Sequence, residues 1–312
     1  MSLRRDRDPL SMQALAHIAV AVAVTTWGCS NVVIKVVGVT GLIASFYRLL
    51  FALPLLWAVA LASPAARGRL DRNWAWSCLV GGVLFSIHQL LFFNGLKFTS
   101  VANVAIIGAL QPVLVLTVAG RWFGERVGAR EVVLSIGAIA GVVVAVLGSS
   151  AAPSWSPFGD LLAVGNLFAF TAYFLWSKRV RASVGATEYI FGLTTVAAII
   201  ISLVCIGLEQ DFSSPSRSDW MWLVFLALVP GTTGHFLSNW AHAHTTAFTM
   251  SIMLLAVPVL AAIGAYFFAG EPLSLQQIVG GSITLAAIAA ILAPAQRRIA
   301  QVEKATGAKQ KA

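Results

Sequence analysis

Charge is scarce in this chain: Asp, Glu, Lys and Arg make up 11% of its 312 residues, and the mean hydropathy is +0.84. An ordinary soluble domain carries about 25% charged residues, so the composition excludes a chain whose whole surface faces water. Acidic residues are the scarcer sign, 12 against 21 basic ones. Cysteine is scarce too. Cys29, Cys78 and Cys205 all fall inside or at the ends of apolar runs, where a free thiol behaves as a small hydrophobe. Neither a disulfide nor a metal site is expected. Little chain lies outside the apolar runs, which leaves no room for a soluble domain.

Apolar sequence is abundant, at 58% of residues. A bilayer core of about 30 Å takes roughly 20 apolar residues per helix, and that ruler finds ten spans: 12–36, 42–62, 75–97, 101–121, 128–148, 158–177, 189–207, 220–241, 246–268 and 274–293. An all-α membrane protein with ten transmembrane helices is therefore expected. The basic head before the first span loosely fits a signal peptide, but nine further spans follow and a retained first helix is expected.

The net charge of +9 is spread along the chain in a pattern. With both termini cytoplasmic, seventeen basic residues fall inside, in groups such as Arg4, Arg5 and Arg7 or Lys178, Arg179 and Arg181. Three fall outside (Lys35, Lys97, Arg217), and Arg48 lies within a span. That asymmetry fixes orientation and adds attraction to anionic lipid. The lipid bilayer is the partner it points to, and no nucleic acid is expected.

The chain repeats itself. "LQPVLVLTVAGRWFGER" (110–126) has a counterpart in "AVPVLAAIGAYFFAGEP" (256–272), with Pro112 and Glu125 spaced as Pro258 and Glu271 are. The same offset lays Thr99 and Ser100 over Thr245 and Thr246, and Gln89 over His235. Residues 12–148 and 158–293 are thus read as two five-helix repeats, with 1–11 and 294–312 as cytoplasmic tails. Because five is odd, the second repeat must enter the membrane inverted, an arrangement that builds secondary transporters with a site near the midplane.

Polar residues indicate which helices meet there. His235, Ser238, Asn239 and His242 share one helical face, since residues three, four and seven apart line up. Trp27, Ser30, Asn31 and Lys35 do the same, as do Ser100, Asn103, Ile107 and Gln111, and Asn166, Phe170, Tyr173 and Ser177. Thr246, Thr249, Met250 and Met253 form a weaker stripe, and Ser86, Gln89 and Phe93 share a face with His88 on its shoulder. Spans two, five, seven and ten are poorer in such stripes. Spans one, three, four, six, eight and nine are therefore expected to enclose a central cavity, because buried polar atoms need partners. A single Ser or Asn in a membrane often joins helices instead, contributing roughly 0.6–2 kcal/mol, and Ser30, Ser86 and Thr249 fit that role. The candidate substrate-binding residues are Trp27, Asn31, His88, Gln89, Asn103, Gln111, Tyr173, His235, Asn239 and Met253. Pro112 and Pro258 each remove a backbone donor and are candidate hinges. Glu125 and Glu271, beside Gly at span ends, suit capping or pairing. Gly137 and Gly141 have the spacing of close helix packing, and Arg48 can snorkel toward an interface.

With "WGCSN" (Trp27 to Asn31), Arg48 and the paired "P…GE" segments, the chain resembles the drug/metabolite transporter superfamily of EamA type over about 12–293. The resemblance implies a multi-pass carrier of the bacterial inner membrane with two inverted five-helix repeats. Within the superfamily it is similar to the aromatic amino-acid exporters, whose permissive pockets also pass some toxic organic cations. The second repeat departs from the pattern, reading Phe170-Thr171 where the first has Trp-Gly.

The expected function is export of amino acids, aromatic and other neutral ones, and related small metabolites by alternating access, without a cofactor. A broad-range drug/metabolite exporter and a channel are the alternatives. A membrane enzyme would need an activated nucleophile or metal-binding acids, and the spans carry no Asp-rich or HExxH-like motif. No mid-membrane carboxylate is expected in the lining, which leaves His88 and His235 as its side chains able to titrate near neutral pH. Proton coupling and downhill facilitation both fit, and a monomer is compatible with the sequence.

Overall fold

The computed structural model describes residues 9–62, 71–149, 156–269 and 272–309. Glu271 and the basic residues of the first tail and of the 63–70 segment lie outside them. Among the described residues, ten segments are long and apolar enough to cross a membrane, each end within three residues of the range expected from sequence. They are α1 (Pro9–Val36), α2 (Gly41–Ala62), α3 (Arg72–Phe98), α4a and α4b (Val101–Gly108, Gln111–Phe123), α5 (Ala129–Leu147), α6 (Pro157–Val180) and α7 (Ala186–Gly207). α8a (Arg217–Leu226), a π-helical stretch (Ala227–Gly234) and α8b (His235–Ala241) form the eighth, α9a and α9b (Ala247–Met253, Ala256–Ala269) the ninth, and α10 (Leu275–Lys309) the tenth. α10 runs helically well past the expected span end at 293.

Local chemistry sets the helix ends. Asp71 accepts from Trp74 N at 2.7 Å at the start of α3, while Ser100 and Thr246 cap α4a and α9a by accepting from Asn103 N and Thr249 N, each at 3.0 Å. Such side-chain oxygens satisfy backbone donors that the first turn leaves free. Both broken helices tighten at the same relative place, with Leu110 N bonded to Ile107 O and Leu255 N to Ile252 O, both at 3.1 Å. Pro112 and Pro258 stand just beyond these points, where their missing N–H prevents a continuous α-helix.

Packing follows a reciprocal scheme. α3 lies against α6 and α7, α1 against α8b and α9b, α2 against the π-stretch and α7, and α5 against α10. Exchanging the halves maps α3–α6 onto α8–α1, α3–α7 onto α8–α2, and α4–α6 onto α9–α1. Apolar side chains cover the outside as well as the inside: Val133 is 66% exposed and Phe267 72%, as suits a protein solvated by hydrocarbon.

Glu125 bridges the halves. Its carboxylate accepts from Ala247 N at 2.7 Å and Phe248 N at 3.0 Å, neutralising the positive end of α9a. Gly141 meets α10, where a Cβ would come within 2.7 Å of Gly280 O, whereas one on Gly137 would meet nothing within 4 Å. The glycine spacing thus serves packing within the subunit at Gly141 alone. Gly141→Leu is expected to destabilise the detergent-purified protein by about 1–3 kcal/mol, the usual cost of overpacking, with Gly137→Leu nearly neutral. Thermal melts of both variants check this, and equal losses would contradict the packing described.

Candidate functional site

A cavity of about 150 Å³ lies at the centre of the bundle. Its lining comes from α1 (Trp27, Ser30, Asn31, Ile34), α3 (His88, Gln89, Phe92), the fourth segment (including Gln111), α6 (Asn166, Leu167, Phe170), the eighth (Leu226, His235) and the ninth (including Ser251 and Pro258). These are the six spans expected to enclose a cavity, although none of the ninth span's stripe, Thr246, Thr249, Met250 and Met253, is in the lining. One more residue joins them from α2: Arg48. A dry engineered cavity of roughly this size admits benzene, so the space suits a small molecule with one ring.

Part of the wall is a set of packed rings. Trp27 packs on His235 at 5.0 Å between ring centroids and on Phe170 at 6.5 Å, and His88 packs on Phe170 at 4.8 Å. His88 Nδ1 and Asn166 Oδ1 are hydrogen-bonded at 2.7 Å. Other polar atoms in the lining are enclosed and have no hydrogen-bond partner among the described residues: both amide atoms of Gln89, Nε2 of Gln111, Nδ1 of His235 and Nε of Arg48. Leaving such groups unpaired is costly unless water or a ligand meets them.

The π-stretch shapes one side of this space. Pro230 has no N–H to donate, and the turn around it widens, with Thr232 Oγ1 and Thr233 Oγ1 donating to the carbonyls of Ala227 and Leu228 five residues back. Trp27 Nε1 donates to Pro230 O at 3.1 Å, which fixes the indole at the cavity wall. Gly231 lets the Arg48 side chain approach, since a Cβ there would lie 3.2 Å from Nε.

Trp27, Asn31, His88, Gln89, Gln111 and His235 are thus brought together around one cavity, with Pro258 at its edge. Four other candidates stand elsewhere. Asn103 is at the end of α4a, where Nδ2 donates to Asp160 Oδ1 at 2.7 Å and to Thr99 Oγ1 at 3.2 Å. Neither it nor Ile107, its neighbour on the expected stripe, lines the cavity; Val104, Ala105, Gly108 and Ala109 do, so α4a turns a different face inward. Tyr173 and Asn239 bond to each other at 2.9 Å behind the lining, with Asn239 also donating to His235 O at 2.9 Å. Met253 packs in an apolar cluster with residues such as Val20 and Ala102. Pro112 follows Gln111 without lining the cavity. Arg48 is the residue whose role the sequence left open: it can snorkel, yet the side chain is 5% exposed, with its guanidinium over the Phe93 ring at 5.4 Å. The signal for it was "VPGTTG" (229–234) in the eighth span, a Pro-Gly interruption opposite an intramembrane arginine.

A ten-span bundle around a buried, partly polar cavity defines an integral membrane transporter class. The chain belongs to the EamA-like transporter family, whose sequence description matches it twice, at residues 14–147 and 157–293. An uncharacterized transporter of Archaeoglobus fulgidus is 25% identical over 275 residues, covering 86% of this chain and 93% of its own. A probable terminal-alkyne amino-acid exporter of Streptantibioticus cattleyicolor is 25% identical over 277 residues, covering 86% and 91%. A crystal structure with 20% sequence identity superposes with a TM-score of 0.74, over 90% of this chain and 98% of that one, which supports the fold.

The two placements of asparagine and glutamine separate cleanly by experiment. Asn103→Ala is expected to lower thermal stability by about 1.5–3 kcal/mol, the range for a hydrogen bond to a charged group, with substrate affinity unchanged. Gln111→Ala should raise the apparent KM about fivefold, the equivalent of roughly 1 kcal/mol for one hydrogen bond. Melts and transport kinetics on both variants check this, and an affinity loss confined to Asn103→Ala would reverse the assignment.

Proposed function

We propose that this protein exports amino acids, aromatic and other neutral ones, and related small metabolites across a bacterial inner membrane by alternating access. The two halves, 12–148 and 158–293, would have opposite orientations and rock about the cavity between them. The observation that carries this reading is the cavity itself, lined from three spans of each half and by Arg48, with enclosed polar atoms left unpartnered. Three further observations support it: the reciprocal packing of the halves, the basic residues concentrated on one side of the ten spans, and a relative named as a probable amino-acid exporter. Aromatic walls from Trp27, Phe92 and Phe170 would take the substrate's side chain, and Asn31, Gln89, Gln111 and His235 its polar end. The broken fourth and ninth spans, with Pro112 and Pro258, would supply the hinges.

Carriers exchange substrate across the membrane faster when it is present on both sides. Proteoliposomes loaded with unlabelled phenylalanine are expected to take up labelled phenylalanine faster than empty ones, and competition by each natural amino acid then gives the range. Phe170→Ala should raise the apparent KM for phenylalanine about tenfold, because an aromatic contact plus lost buried area is worth roughly 1–2 kcal/mol, and leave alanine uptake little changed. Absence of saturable uptake and exchange for every amino acid would overturn the substrate; non-saturating conductance would replace the carrier with a pore.

A further inference from the structure

We propose that Arg48 is a carboxylate anchor, and that the cavity selects small monocarboxylates with an apolar or aromatic tail, tolerating an α-amino group without requiring it. This substrate class rests on the carrier reading above. It begins from a charge without an opposite. Arg48 lies in the second span, 5% exposed, and no Asp or Glu lines the cavity it faces. Its Nε is enclosed without a hydrogen-bond partner, and the only salt bridge found among the described residues, Arg130 with Glu131, is elsewhere.

A guanidinium withdrawn from water is strongly disfavoured unless an anion and further hydrogen bonds meet it, and its planar fork matches the two oxygens of a carboxylate. Phe93 lies beneath the guanidinium, and Gly231 leaves room for the side chain beside it. Gln89 Nε2 and Gln111 Nε2, both enclosed and unpartnered in the same lining, are donors of the kind a bound carboxylate accepts.

Counting charge decides the class. One monoanion neutralises Arg48, whereas a phosphate dianion would leave a net negative charge with no second Lys or Arg in the lining. A zwitterion brings an ammonium that finds only neutral acceptors such as Asn31, and a simple amine would place two cations together. The order of affinity is therefore 3-phenylpropanoate at or above L-phenylalanine, with 2-phenylethylamine far below both.

Binding of these three probes to the purified full-length protein is measured by calorimetry, beside thermal melts of the unliganded variants. The two carboxylates are expected to bind wild type, and the amine at least tenfold more weakly. Arg48→Met should abolish carboxylate binding without lowering the unliganded melting temperature, because a buried unpaired charge has been replaced by an apolar chain of similar length. Arg48→Lys, which keeps the charge and loses the fork, should bind at least tenfold more weakly than wild type. Unimpaired carboxylate binding by Arg48→Met, no binding of 3-phenylpropanoate to wild type, or amine binding as tight as the acid's would each overturn the anchor. Arg48-dependent binding of 3-phenylpropanoate without phenylalanine exchange in proteoliposomes would remove the amino-acid reading and keep the anchor. Phenylalanine exchange that is indifferent to Arg48→Met and to 3-phenylpropanoate would do the reverse.

Discussion

A polar atom inside a bilayer must find a partner, and most features of this protein follow from where those partners are. Backbone groups find them within helices, which is why every span is helical. Side chains near the ends of the bundle find them across the halves. Asp160 receives hydrogen bonds from Thr99 and Asn103, Asp219 from Gly38 N, and Glu125 from the first amides of α9a. Away from the cavity Asn239 Oδ1 and the Nδ1 atoms of His17 and His242 are also unmet, but the unmet atoms gather halfway through, on Gln89, Gln111, His235 and Arg48. A core selected for stability alone would have replaced them with leucine. Their retention around a cavity is the physical basis for reading a transport site.

The ends and the middle therefore have different tasks. Glu125 ties the first half to the second at one end of the bundle, and Asp160 and Asp219 do so at the other. Each tie is a carboxylate meeting one or a few donors, an interaction that forms or breaks within a turn of helix. The breaks in the fourth and ninth spans fall at matched positions, close to the cavity. In the proposed carrier, these local ties and helix breaks would let the bundle change at its ends while its centre keeps the same residues.

Much of this was legible in the sequence because its causes are local. Apolar length gives the spans, and caps such as Asp71 account for some of the extra turns at their ends. Helical spacing selected the six lining spans, since a polar stripe has one direction in which to face. Spacing does not foresee a helix break, however. The fourth span breaks between α4a and α4b, so Gln111 lines the cavity while Asn103 and Ile107 do not, and the Asp160 partner of Asn103 was invisible in a one-dimensional pattern. Tyr173 and Asn239 likewise bond to each other across two helices distant in sequence, with Asn239 Oδ1 left unmet. Arg48 stayed open for the opposite reason: a lone arginine within a span can snorkel, and only the fold brings Phe93, Gly231 and the π-stretch around it.

The central claim is that a solvated cavity lies between the halves and that substrate occupies it. Its most direct test is the reactivity of a cysteine placed at Gln111, in protein from which Cys29, Cys78 and Cys205 have been removed, toward a small hydrophilic thiol reagent. Labelling that is rapid, and slowed by saturating phenylalanine or 3-phenylpropanoate, is predicted. A cysteine at this position that stays inert to the reagent from both sides of the membrane would mean the halves are sealed together, contradicting the account.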